Sequence, residues 1–300
     1  MSLQGWGAVE MSDEFGLPLL AADLRDDFSR FHLLHYRDRV DGFLVSGHNS
    51  GTHWLRFMLS TAIAHRLALP PPARSSGPES DLYIGNARHR RRVPQAPRIG
   101  SSHHMPSRLV ALLGALGLAR VPPVVVLVRH IPDSLISYFY KWREAKRLGS
   151  LADYLARRPA AQGVDLWWFI RFFNRWGLLK RALPQAVMVV RYEDLQRDPQ
   201  TWVRRIWAHW GVELDEADLA AAMAVAPREA VQARLDPGYG EDIAPDRQAR
   251  LALQYAEPDI ALIEARLAER LRHDFGYGAA VRPAGPRAHA PGRDGVQLVA

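Results

Sequence analysis

The sequence predicts an α/β protein, a three-layer fold with a central parallel sheet and a P-loop-like turn. Three features predict it: apolar runs end near Ser46, Arg129 and Arg191, each passes through a polar turn, and each then enters a helical pattern. Such alternation belongs to parallel sheets, whose strands are joined by crossover helices. Strands are expected near 42–46, 124–129 and 186–191, with helices near 52–67, 131–146, 164–182 and 198–210. All three strand ends then fall on the side of the sheet where open parallel sheets bind ligands.

The first unit runs Phe43-Leu44-Val45-Ser46-Gly47-His48-Asn49-Ser50-Gly51-Thr52-His53-Trp54. Gly47 and Gly51 let the backbone bend and approach a ligand, Ser50 and Thr52 offer hydroxyls, and the N–H groups of the helix that opens there attract negative charge. The composition suits a phosphate, although a purely structural strand-to-helix connection can look the same. It is not the Walker pattern of nucleoside triphosphatases, because Thr52 and His53 follow the second glycine where Lys and Ser or Thr are required.

In the second unit, Val124-Val125-Val126-Leu127-Val128 leads to Arg129, and Pro132 suits the first turn of the helix that follows. Ser137 falls about two helical turns beyond Arg129, so a guanidinium and a hydroxyl can share one phosphate. The third unit, Val187-Met188-Val189-Val190-Arg191-Tyr192-Glu193-Asp194-Leu195, repeats the design before a helix that begins near Asp198-Pro199. Glu193 and Asp194 also fit a helix cap and are not read as acids or bases.

At these positions the chain resembles the sulfotransferases that use 3′-phosphoadenosine 5′-phosphosulfate (PAPS). Asn49-Ser50-Gly51-Thr52-His53-Trp54 resembles the family's phosphosulfate-binding turn, usually Lys-Ser-Gly-Thr-Thr-Trp. Ser102-His103-His104-Met105-Pro106 is similar to the catalytic-histidine segment, usually Lys-Thr-His-Leu-Pro. Arg129 and Ser137 match the pair that holds the 3′-phosphate, and Arg191-Tyr192-Glu193-Asp194-Leu195 resembles the Tyr-Glu-Asp-Leu strand end. The resemblance implies sulfuryl transfer from PAPS to an acceptor hydroxyl or amine, leaving adenosine 3′,5′-bisphosphate, with no metal. It implies that His104 is the general base, with His103 exchanging roles on a one-residue slip. It further implies that Trp54 packs on adenine, that Tyr192 touches the nucleotide, and that Arg234 and Gly238 form a late cofactor loop. That last match is partial, and a plain surface loop fits it equally well.

One departure concerns the leaving group. Asn49 stands where the family carries a lysine, and His48, His53 and Arg56 are the neighbours that could lend charge instead. The departure motivates one alternative, a non-catalytic nucleotide-binding relative; the other, a P-loop kinase, is disfavoured by the missing Walker lysine.

The chain has 300 residues, no cysteine and a formal net charge of +7. The absence of cysteine excludes disulfides and thiolate catalysis. No long apolar stretch and no secretory leader is visible, which predicts a cytoplasmic protein, and the Arg-, Ala- and Pro-rich usage resembles high-GC bacteria. The expected organisation is an N-terminal extension over 1–30, one α/β domain over 31–278 with a helical C-terminal part, and a disordered tail over 279–300. The basic run Arg88-His89-Arg90-Arg91-Arg92 could meet an anionic acceptor or nucleic acid but more simply forms a solvated loop. The partners implied are the nucleotide donor and an acceptor of unspecified class. The aromatic stretch from Leu166 to Trp176 reads as core, one edge of which could wall an acceptor site.

Overall fold

The structure, a computed structural model, describes residues 39–90, 92–157, 163–236, 255 and 257–278. The expected extension and tail and Gly238 lie outside the described residues.

Five strands form one all-parallel sheet in the order β2-β3-β1-β4-β5: β1 (Gly42–Ser46), β2 (Ile84–Gly85), β3 (Ile99–Ser102), β4 (Val124–Val128) and β5 (Val187–Arg191). Alternation along the strands builds the three layers. Phe43, Val45, Val124, Val126 and Val128 face one core, while Leu44, Val125 and Leu127 face the other. Every residue of β4 is buried, as its unbroken apolar run requires in the interior of a parallel sheet.

The first layer holds α2 (Arg108–Ala115), α3 (Ile131–Trp142), α4 (Leu151–Leu155), α5 (Leu166–Ala182) and α10 (Glu257–Arg270). The second holds α1 (Thr52–Arg66), α7 (Pro199–His209) and α8 (Glu216–Ala224). Between them in sequence lie α6 (Tyr192–Arg197), directly after β5, and α9 (Arg228–Gln232). In α5, Phe169, Phe172, Phe173 and Trp176 are almost completely buried, so the aromatic stretch is core as expected.

The differences from expectation are local. Helix α3 stops at Trp142 rather than 146, and Arg147 (φ 50°) and Gly149 (φ 79°) turn the chain in the left-handed region that helices cannot continue through. Strand β4 ends at Val128, which leaves Arg129 on the loop beyond it. Strands β2 and β3 had no predicted counterpart.

Chain order makes β1 the switch point of the sheet. The chain leaves β1 for β2 and β3 on one side and then crosses to β4 and β5 on the other. A crevice therefore opens at the carboxyl end of β1, between the segments that follow β3 and β4.

Candidate functional site

The turn after β1 is built by its small residues. Gly51 precedes α1 at φ 87°, and a Cβ there would lie 2.6 Å from the Tyr192 ring. Asn49 has φ 56°, a conformation that asparagine tolerates better than most residues. No side chain caps α1, so its first N–H groups face the crevice with the positive end of the helix dipole. Thr52 Oγ1 hydrogen-bonds Ser46 Oγ at 2.7 Å.

Arg129 reaches this turn from β4. Its Nη1 donates to the Asn49 carbonyl at 3.1 Å, and Asn49 Nδ2 donates to Ser137 Oγ on α3, also at 3.1 Å. Strand register explains the third contact. Val128 pairs with Arg191, so the next residues, Arg129 and Tyr192, come side by side, and the guanidinium sits 5.0 Å from the Tyr192 ring centroid. Burial raises the Tyr192 phenol above its ordinary value, and the Arg129 charge pulls the other way. Trp54 meets Tyr192 edge-on with ring centroids 5.9 Å apart, and its Nε1 donates to the Ala226 carbonyl at 2.8 Å. Asn49, Ser50, Gly51, Thr52, Trp54, Arg129, Ser137 and Tyr192 thus form one surface.

Two polar atoms there bear on a ligand. Ser50 Oγ and Arg129 Nε are both buried without a hydrogen-bond partner, an arrangement that costs about 1–3 kcal/mol per group unless something else satisfies it. An anionic group accepting from each would remove that cost.

The end of β3 supplies the second wall. Val45 pairs with Ser102, so the next residues put His103 beside Ser46, and His103 Nδ1 donates to the Ser46 carbonyl at 2.8 Å. His48 stacks on His103 with centroids 4.0 Å apart, and Trp168 of α5 packs 4.7 Å from His48. His103 is itself exposed, with the His48 ring covering one of its faces. Desolvation lowers its pKa to about 4, opposed by the Ser46 bond and assisted by His53, Arg56 and Lys141. Desolvation, then His103, Lys146 and Lys141, hold His48 down to about 2. His104 is partly exposed, and its carbonyl accepts from Trp176 Nε1 at 2.9 Å.

The charge expected from the loop's neighbours is largely engaged elsewhere. Arg56 points along α1 to Asp81 (2.7 Å) and to Ser80, His53 shares a 3.4 Å contact with Arg56, and His48 is neutral. The Arg234 guanidinium is 5.7 Å from the Phe57 ring centroid on α1, and its carbonyl accepts from Ser75 N. Arg88 and Arg92 of the basic run are exposed, with Arg92 bonded to the Pro78 carbonyl. Sequence reasoning did not anticipate the packing of His48 on His103. The signal available was that both lie immediately beyond strand ends, although β3 itself had no predictive pattern. Among the described residues no group of three or more His, Asp or Glu is arranged to hold a metal, and no helix is long and apolar enough to cross a membrane.

Fold and site together define an α/β anion-binding protein with its ligand crevice at the sheet's switch point. Residues 39–225 match the family described as the sulfotransferase domain, and the chain belongs to that family. It is 26% identical over 207 residues to Cytosolic sulfotransferase 10 of Arabidopsis thaliana, a match spanning 61% of this chain and 60% of that protein's length. Its fold is similar to that of mouse sulfotransferase SULT7A1 complexed with PAP (TM-score 0.55, 16% identity, 87% of this chain and 91% of that one). It is also similar to an Arabidopsis thaliana putative steroid sulphotransferase (TM-score 0.50, 16% identity, 83% of this chain and 82% of that one). At such identities these two likenesses are likenesses of fold.

Proposed function

We propose that the protein transfers a sulfuryl group from PAPS to an acceptor hydroxyl or amine, releasing adenosine 3′,5′-bisphosphate. The observation that carries this reading is the meeting of Arg129 with the turn before α1, with orphaned donors in both parts of one crevice. Ser50, Thr52 and the opening N–H groups of α1 bind the 5′-phosphosulfate, and Asn49 and His53 flank it. Arg129 and Ser137 bind the 3′-phosphate, and Trp54 and Tyr192 offer the adenine an aromatic corner whose Trp54 ring is held by Ala226.

Chemistry at sulfur then depends on positioning and on preorganised charge. Asn49 donates no net charge to the departing phosphate. That contribution falls to the α1 dipole and to the positive potential that Lys141 and Lys146 project onto His48. A base from the Ser102–Pro106 segment takes the acceptor proton, His104 being the one that the family motif marks. Trp168, beside His48, forms one wall of the acceptor side.

The test is transfer of radiolabelled sulfuryl from PAPS to a panel of phenol, alcohol and amine acceptors. Donor-dependent labelling supports the reading. ATP consumption with phosphoryl transfer would mark a kinase, and bisphosphate binding without transfer to any acceptor would mark a nucleotide-binding relative.

A further inference from the structure

We propose that the acceptor is an acidic phenol, carrying an anionic group across its ring from the hydroxyl, and that Lys146 with Lys141 selects it; the proposal rests on sulfuryl transfer being the reaction.

Helix α3 sets the placement. Two successive residues of α3 meet two successive residues of the turn after β1: Ser137 Oγ accepts from Asn49 Nδ2, and the Tyr138 ring stands edge-on to His48 with centroids 5.4 Å apart. One helix therefore touches the nucleotide side through Ser137 and the acceptor side through Tyr138. Tyr138, Trp142 and Lys146 follow at intervals of four, the spacing that lines up one helix face. The row continues past the end of α3, because Lys146 N donates to the Trp142 carbonyl at 2.9 Å.

The row ends on a cation held in position. Lys146 Nζ donates to Tyr138 Oη at 2.6 Å and lies 4.8 Å from the Trp142 ring centroid and 5.2 Å from that of Tyr138. Lys141 Nζ lies 5.4 Å from the Trp142 centroid. Among the described residues no carboxylate forms an ion pair with Lys146. The stretch from 141 to 147 sets Lys141, Arg143, Lys146 and Arg147 against Glu144 alone, and Glu144 projects into solvent 3.8 Å from Arg143. This positive field reaches the transfer site: Lys141 and Lys146 both disfavour a proton on His48, and Lys141 does so on His103.

Shape and charge then specify the acceptor together. Trp168 from α5 and Tyr138 from α3 flank His48, an aromatic corner that suits a flat ring. The Lys146 ammonium stands one ring beyond His48, so a phenol with its hydroxyl at the His48 and His103 end presents its far end to that ammonium. An ammonium has three donors, and Tyr138 takes one. A carboxylate on the acceptor takes the others, a neutral group gains less, and a cation is repelled.

The test uses the full chain, PAPS and three acceptors that share one skeleton and differ in charge: 4-hydroxyphenylacetate, 4-hydroxyphenylacetamide and tyramine, with product read as the aryl sulfate. kcat/KM should fall in that order, with the acid at least about tenfold ahead of the amide, and about 0.5 M KCl should shrink the gap. Lys146→Met keeps the apolar stem on both rings and removes the charge, so the acid-to-amide ratio should drop at least about fivefold, and Lys146→Arg should restore most of it. An acid that reacts no faster than the amide, or a preference that Lys146→Met leaves intact, overturns the proposal while the sulfotransferase reading stands. If none of the three is sulfated, calorimetric titration of the acid and the amide into the bisphosphate complex decides: tighter binding of the acid supports the proposal, and equal or undetectable binding of both overturns it. A protein that binds no bisphosphate refutes the sulfotransferase reading, and the proposal falls with it.

Discussion

Replacing Gly51 with alanine perturbs the backbone of the turn and the aromatic ring beneath Arg129 in a single step. Gly51 has φ 87°, where a side chain costs about 1–2 kcal/mol. The new Cβ would also lie 2.6 and 2.7 Å from two carbons of the Tyr192 ring, so the ring must move. Overpacking of that kind costs about 1–3 kcal/mol more. Gly117, at φ 70°, supplies the control: a Cβ added there would meet nothing within 4 Å, so Gly117→Ala carries the backbone cost alone. Urea unfolding should therefore show Gly51→Ala about 1–3 kcal/mol less stable than Gly117→Ala. Because Tyr192 packs 5.0 Å from the Arg129 guanidinium, its displacement should also weaken bisphosphate binding at least about tenfold, equivalent to ~1.4 kcal/mol by calorimetry. Equal stabilities for the two variants, together with unchanged affinity, would refute the packing of Tyr192 against the turn as the element that seats Arg129.

Two further predictions concern the same turn. Asn49→Lys places an ordinary side chain at φ 56° and removes the amide donor to Ser137, so denaturant unfolding should show a loss of about 1–2 kcal/mol; no loss would mean that the turn relaxes at no cost. His48 carries a pKa lowered to about 2, so in acid the unfolded chain takes a proton there that the folded chain refuses. The penalty is absent above about pH 6.5 and grows as pH falls below that value toward the folded pKa, at no more than ~1.4 kcal/mol per pH unit. His48→Phe should flatten the loss of stability between about pH 6.5 and 4, and parallel curves for the two proteins would contradict a neutral, crowded His48.

The sequence was most readable where one physical demand dominates. The fully buried β4 had to be an unbroken apolar run, and the turn before α1 needed glycine where Tyr192 leaves no room for a side chain. Arg129, Ser137 and Tyr192 were found through spacing and resemblance, and strand register later brought them together. Strand β3 was not legible, because Ile99-Gly100-Ser101-Ser102 has neither branched residues in series nor alternation. Gly100 is needed there for close approach: a Cβ would lie 2.6 Å from the Phe43 ring, a constraint that exists only once β1 and β3 pair. The orientation of His103 was hidden for the same reason, since it depends on a carbonyl 57 positions earlier in the chain. The fate of Arg56 was equally nonlocal, because its partners Asp81 and Ser80 sit in the long excursion after α1. Charge near the turn in the sequence was therefore a poor guide to charge at the turn in the fold.

The claim that Arg129 and the turn before α1 hold the two ends of one nucleotide is tested most directly by a thermodynamic cycle. Adenosine 3′,5′-bisphosphate and adenosine 5′-monophosphate are titrated calorimetrically into the wild-type protein and into Arg129→Ala. The account predicts that the wild type prefers the bisphosphate by at least about tenfold and that Arg129→Ala abolishes most of this preference while binding the monophosphate nearly as before, a coupling of about 1.5–3 kcal/mol. Equal losses for both ligands, or a preference that survives without the guanidinium, would contradict it.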